Sequence, residues 1–409
     1  MQSDRADRDA EREHRVTALE LFFDLVVVFA LTQVTTFLSG TPTWGGLLRG
    51  LLLLGAIWWA WTGYAWLTNV LDPEEGGVRI AVFGATAAML VVGPATPGAF
   101  GTDGVTFGVA YLVVRVILLG LYAVAARGDR QLLRTVVKIV PSGVLGPGLI
   151  LIAGFLEGTG QLALWTAALA VDYLGVLVGD INAWQISPDH FAERNGLVVI
   201  IALGESIFAI GVGASEKALA APVIAAALLG VGVATALWWS YFDWFAFAIQ
   251  ARLRELTGSA RSALARDGYS YLHLPMVAGI VLFALGLKST LAHVDDPLST
   301  IPAIGLCSGL ALYFLAHVAL RLRMGGGFGR GRPVASVVLL ALVPVAREVP
   351  ALVALSLVTA VCGSLIVYEA LRHRDSRAFI RSRRGAFTLE EVASIERSGG
   401  GAPDPPAES

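Results

Sequence analysis

Residues 19–38, LELFFDLVVVFALTQVTTFL, decide the fold class. Twenty residues of helix rise about 30 Å, the thickness of a bilayer's hydrocarbon core. Yet Glu20 and Asp24 lie within the first two turns. An ionised side chain at mid-bilayer costs roughly 2.5–3.5 kcal/mol on insertion scales, so acids in such a run need a role.

Similar runs recur along all 409 residues. The chain is 56% hydrophobic and 15% charged, where a soluble domain carries about 25% charge. Its mean hydropathy is +0.68. This predicts an all-α, polytopic transmembrane helical bundle. Spans are expected over 18–38, 46–69, 78–97, 105–126, 135–156, 160–180, 196–214, 219–248, 268–291, 299–321, 333–347 and 350–371. The eleventh is crowded by Pro333, Pro344 and Pro350, and Pro141 and Pro147 are expected to kink the fifth.

An even number of spans puts both termini on one side. Of the 30 Lys and Arg, 24 fall on the termini and the even-numbered loops. The positive-inside rule therefore places both termini in the cytoplasm of a cell-membrane protein. No small-residue cleavage site follows the first run, so it reads as an uncleaved helix.

Net charge is −2, and no basic run is interleaved with aromatics, which argues against nucleic acid. Membrane lipid is the expected partner, with a small solute or ion as a further one; oligomeric state is not legible. Cys307 and Cys362 sit in apolar runs and read as small buried apolar groups. No Cys/His cluster suggests a metal. No cofactor is implied.

Three pairs of segments repeat in chain order. LVVVFALTQVT (25–35) matches LVVIIALGESI (197–207), placing Gln33 opposite Glu205. WWAWTGYAW (58–66) matches WWSYFDWFA (238–246). AYLVVRV (110–116) matches LYFLAHV (312–318), setting Arg115 opposite His317. This predicts a charged segment over 1–15, six-helix pseudo-repeats over 16–186 and 187–371, and a basic, then disordered, cytoplasmic tail over 372–409 with a short helix at 387–396. Six is even, so the repeats would share one topology about an axis along the membrane normal.

Several residues could carry chemistry. Thr17 and Glu20 form a capping-box pattern. Asp24 lies deeper, beyond any cap, and shares a face with Glu20, Thr32 and Thr35. It reads either as part of an ion or proton pathway or as half of an ion pair with Arg15 or another basic residue. Glu205 sits mid-span in an uncharged sequence neighbourhood, with no cap to explain it, and reads as a proton carrier. Arg115, Asp243, His273 and His317 are further intramembrane candidates, and Lys288 reads as snorkelling outward. Ser187-Pro188 reads as a helix start. His190, Glu193 and Arg194 follow on a short cytoplasmic-surface helix that Asn195-Gly196 breaks. The Trp clusters at 58–66 and 238–244 read as an interfacial belt or, alternatively, as an aromatic-lined site. No Walker A, GxSxG, HExxH or strand-borne GxGxxG occurs, so no enzyme is expected.

ELFFDLVVVFALTQ, HFAERNGLVVIIALGES and YLHLPMVAGIVLFALG, in this order, resemble the bacterial low-temperature-requirement A (LtrA) family over residues 14–375. The resemblance implies a polytopic inner-membrane protein; the family's name describes cold growth and implies no reaction. Phe22-Phe23-Asp24 with upstream Arg15 is also similar to the RxxxFSD motif of a two-repeat potassium-channel family. It departs from that motif in Phe23 and in the spacing of Arg15, so potassium selectivity does not carry over. Together these readings predict a proton-linked transporter, with Asp24 and Glu205 as titrating groups. The alternatives are a two-repeat ion channel and a non-transporting stress-adaptation factor.

Overall fold

The structure, a computed structural model, describes residues 16–179, 183–184, 186–215, 220–372, 374 and 391. Segment 1–15 with Arg15, Lys217 and nearly all of the tail lie outside these residues. Among the described residues every named element is helical, and one isolated bridge joins Pro297 to Pro350.

The first half contains α1 (Ala18–Gly40), α2 (Trp44–Leu67), α3 (Gly76–Ala95), α4 (Gly104–Ala125), α5 (Arg130–Ala153) and α6 (Gly158–Gly175). The second contains α7 (Pro188–Ser215), α8 (Ala221–Phe242), α9 (Phe245–Glu255), α10 (Gly258–Ala265), α11 (His273–Ala292), α12 (Thr300–Arg323), α13 (Gly331–Val345) and α14 (Ala351–Arg372). A π-helical turn, Arg266–Leu272, joins α10 to α11. Ten segments are long and apolar enough to cross a membrane, making this a multi-pass membrane protein. The charge-bearing α7 and the 15-residue α13 fall outside those ten.

The helix ends follow local chemistry. Thr17 Oγ1 accepts from the Glu20 N–H (3.3 Å) while a Glu20 carboxylate oxygen accepts from the Thr17 N–H (2.8 Å), closing the capping box that starts α1. Thr43 caps α2 through the Gly46 N–H at 3.0 Å. Asp129 caps α5 through Gln131 and Leu132. Pro141 and Pro147 stay inside an unbroken α5.

Within the first half, α1 packs on α2 and α3, then α3 on α4, α4 on α5 and α5 on α6, with α6 returning to α2. Within the second, α7 packs on α8 and α11, then α11 on α12, α12 on α13 and α13 on α14, with α14 returning to α8. The halves meet where α1 and α2 touch α7 and α11. The tightest crossing is α11 on α12. A Cβ on Gly279 would lie 2.5 Å from the Gly309 carbonyl, and one on Gly286 would lie 2.5 Å from the Leu306 nitrogen. Small residues let helix backbones approach where lipid supplies no hydrophobic drive.

Three expectations change. Asn195-Gly196 does not break the chain: α7 runs unbroken from Pro188 to Ser215. The Asn195 amide donates to the Phe191 carbonyl at 2.8 Å, and Gly196 sits against Phe242. His190 and Arg194 are consequently buried rather than at a surface; only Glu193 of that trio is exposed. The first Trp cluster is no interfacial belt either, since Trp58, Trp59 and Trp61 are all buried and point at other helices.

Candidate functional site

The structure sorts the sequence-predicted residues into four places. The first lies between α1, α2 and α7. Arg194 Nη1 reaches Glu20 at 2.9 Å and the Tyr64 carbonyl at 3.2 Å, and it also contacts the Thr68 hydroxyl. Its Nη2 reaches Asp24 at 3.1 Å. His190 Nε2 lies 3.2 Å from the Glu20 carboxylate. Trp61 Nε1 donates to Asp24 Oδ1 at 2.8 Å. Glu20, Asp24 and Arg194 are each 1% exposed or less. Their charges sum to −1, and to zero when His190 carries a proton. A planar guanidinium can bridge two carboxylates this way, where a lysine could serve only as a point charge. Glu20 therefore both caps α1, as the sequence pattern predicts, and pairs with α7.

Glu205 occupies the second place, eleven residues beyond Arg194 and roughly 16 Å further along α7. It is 4% exposed and faces Thr32 and Thr35 of α1. Its Oε2 has no hydrogen-bond partner among the described residues. Lys288 of α11, half-buried rather than snorkelled out, acts on it electrostatically without forming an ion pair. Arg194 lies beside Asp24, and Glu205 beside Thr32, so α1 and α7 run side by side in one direction.

Arg115 defines the third place. Its Nη2 meets Asp172 Oδ1 at 2.8 Å, joining α4 to α6. The sequence reading singled out Arg115 as an intramembrane candidate but missed Asp172. The signal was present: Asp172 sits inside the sixth apolar run as Asp24 sits inside the first.

His273, His317 and Asp243 gather at the fourth place, in the second half. His273 Nδ1 donates to the Gly268 carbonyl (2.8 Å), so the neutral ring accepts at Nε2 from the Tyr241 hydroxyl (2.9 Å). His317 Nδ1 donates to the Tyr313 carbonyl at 2.8 Å. Asp243 follows α8 and lines a vestibule with His317, Arg321 and Arg332. Arg332 is tied to Glu369 at 2.8 Å, a pair the sequence reading did not single out. Glu205 belongs to a different helix interface from all three. Among the described residues no group of His, Cys, Asp and Glu is arranged to hold a metal.

Comparison with known proteins places this geometry in a family. The model of the bacterial low temperature requirement A protein (LtrA) family matches residues 15–367. The chain is also similar to an uncharacterized protein of Rhizobium meliloti (strain 1021), at 32% identity over 285 residues, covering 67% of this chain and 69% of the relative. No solved structure matches.

Proposed function

This chain belongs to the bacterial low temperature requirement A family, and we propose that it is a proton-linked transporter of a small solute or ion, not an enzyme. The observation that carries the reading is Glu205. It is a buried acid at the contact between the two halves, with one carboxylate oxygen unpartnered and no cation in an ion pair with it among the described residues. The Thr32 hydroxyl beside it donates to the Val28 carbonyl at 3.1 Å. Intramembrane acids without structural partners mark proton and ion paths in membrane proteins.

Two features support the six-plus-six organisation behind this reading. The packing order of α1–α6 recurs in the second half, with α11 to α14 taking the places of α3 to α6. Tyr111 of α4 donates to the Ala56 carbonyl of α2 (3.0 Å), and its sequence counterpart Tyr313 of α12 donates to the Leu237 carbonyl of α8 (2.9 Å). Same-topology halves of this kind place their path where they meet. The distribution of basic residues supports a topology with both termini in the cytoplasm.

The test is flux in liposomes under an imposed pH gradient, comparing the wild-type protein with Glu205→Gln. Saturable, gradient-dependent flux that collapses in the variant is the expected result. Unsaturating conductance would replace the reading with a channel. No flux in either protein would replace it with a non-transporting membrane factor.

A further inference from the structure

The Arg115–Asp172 pair is not used by the Glu205 reading, and it lines a cavity of its own. The cavity lies between α2, α4, α5 and α6, opening where α6 ends and the π-helical turn from the second half begins. Its volume is about 80 Å³. Three buried polar atoms on its wall have no hydrogen-bond partner among the described residues: Arg115 Nε, Asp172 Oδ2 and Thr62 Oγ1. Arg115 is 5%, Asp172 1% and Thr62 6% exposed. A buried polar atom left unpaired costs about 1–3 kcal/mol, so three in one cavity call for a common partner.

The π-helical turn adds an independent pointer, because such turns recur at functional sites. This one is stapled over the cavity mouth. Ser270 accepts from Trp58 Nε1 at its carbonyl and from Trp66 Nε1 at its hydroxyl, both at 2.8 Å, and Tyr271 donates to the Tyr173 carbonyl at 2.6 Å.

We propose that this cavity binds a small, net-neutral zwitterion of the amino-acid type carrying an apolar side chain. The ion pair of these two lining residues leaves one donor, Arg115 Nε–H, and one acceptor, Asp172 Oδ2, without a partner among the described residues. A carboxylate suits the donor and an ammonium suits the acceptor. Thr62 adds a hydroxyl. Arg115 and Asp172 cancel, and Arg266 at the mouth is held by Asp267 at 2.8 Å. A ligand of net charge would therefore enter with no counter-ion waiting, at a large desolvation penalty. Trp59, Leu118, Ile139 and Val176 make the remaining wall apolar. A sugar, polar around its whole edge, would leave hydroxyls unmatched there.

This assignment rests on the cavity alone and stands whether or not the Glu205 reading does. The test is equilibrium binding of radiolabelled L-leucine to the purified full-length protein in detergent. L-lysine, L-glutamate and glucose serve as competitors. Saturable binding displaced by unlabelled leucine and by none of the three competitors is expected. Asp172→Asn should abolish it. Thr62→Val keeps the side-chain shape and removes an unpaired hydroxyl, so it should leave the melting temperature unchanged and weaken binding roughly fivefold. Glu205→Gln should bind as the wild type does, separating this site from the transport reading. Absence of saturable binding, or wild-type affinity in Thr62→Val, overturns the proposal; the cavity then holds water only.

Discussion

The two ends of the α1–α7 contact are built from the same pair of helices and are buried alike, yet they differ in one respect. At the α7 start, Glu20, Asp24, Arg194, His190 and Trp61 are joined by ion pairs and hydrogen bonds, with only Asp24 Oδ2 and Arg194 Nε of the three charged groups left without a partner among the described residues. Roughly 16 Å further along, Glu205 faces Thr32 and Thr35, and Lys288 acts on it without pairing. Breaking a buried pair costs far more than the pair contributes, because a lone charge stays behind. The closed end is thus a clamp that sets how α7 lies on α1. The open end holds a buried acid with no ion-pair partner among the described residues, which a structural role does not need.

Mutations can break this contrast at either end. The largest effect is expected for Arg194→Met, which strands two buried carboxylates. It should cost about 3–5 kcal/mol, read as a collapse in the thermal melting temperature of the purified protein or in the amount of folded protein recovered. A wild-type melt would show that the cluster clamps nothing. Trp61→Phe should cost less, about 1.5–3 kcal/mol, because it removes one hydrogen bond to a charged group and leaves the ring in place. Its melt should fall between those of Arg194→Met and the wild type. Glu205→Gln should shift stability by no more than about 0.5 kcal/mol, since it replaces an acid that lacks a paired cation by a neutral amide of the same shape. The same variant should lose gradient-driven flux. A melt lowered as far as that of Arg194→Met would make Glu205 a second clamp and dissolve the comparison.

The two halves show a related divergence. In the first, Arg115 of α4 pairs with Asp172 of α6. In the second, the matching position on α12 is His317, and the cation sits instead on α13 as Arg332, paired with Glu369 of α14. The packing order recurs while the charges move. Packing depends on apolar volume and glycine placement, which tolerate changes at a polar position provided each buried charge keeps a partner.

Much of the fold was legible because it is local. Apolar runs mark the spans, and the observed helices begin and end within a few residues of those expected for most of them. The capping box at Thr17 needs only four consecutive residues. The site was half legible. Asp24, Glu205 and Arg115 stood out as charges in hydrocarbon, but their partners did not, because Arg194 was read as lying on a surface helix. That reading leaned on Asn195-Gly196 as a break, and Asn195 instead bonds back one turn and keeps the helix whole.

By itself the sequence determined the membrane class, the order of the apolar helices, and which charges lay within them, since each follows from composition over a window no longer than one helix. Only the tertiary structure decided which charges are paired. Arg194 and Asp24 lie 170 residues apart, and Arg115 and Asp172 lie 57 apart. Contacts at such separations are set by how helices cross, and crossing depends on side-chain volumes across several helices at once, which no single window of sequence contains.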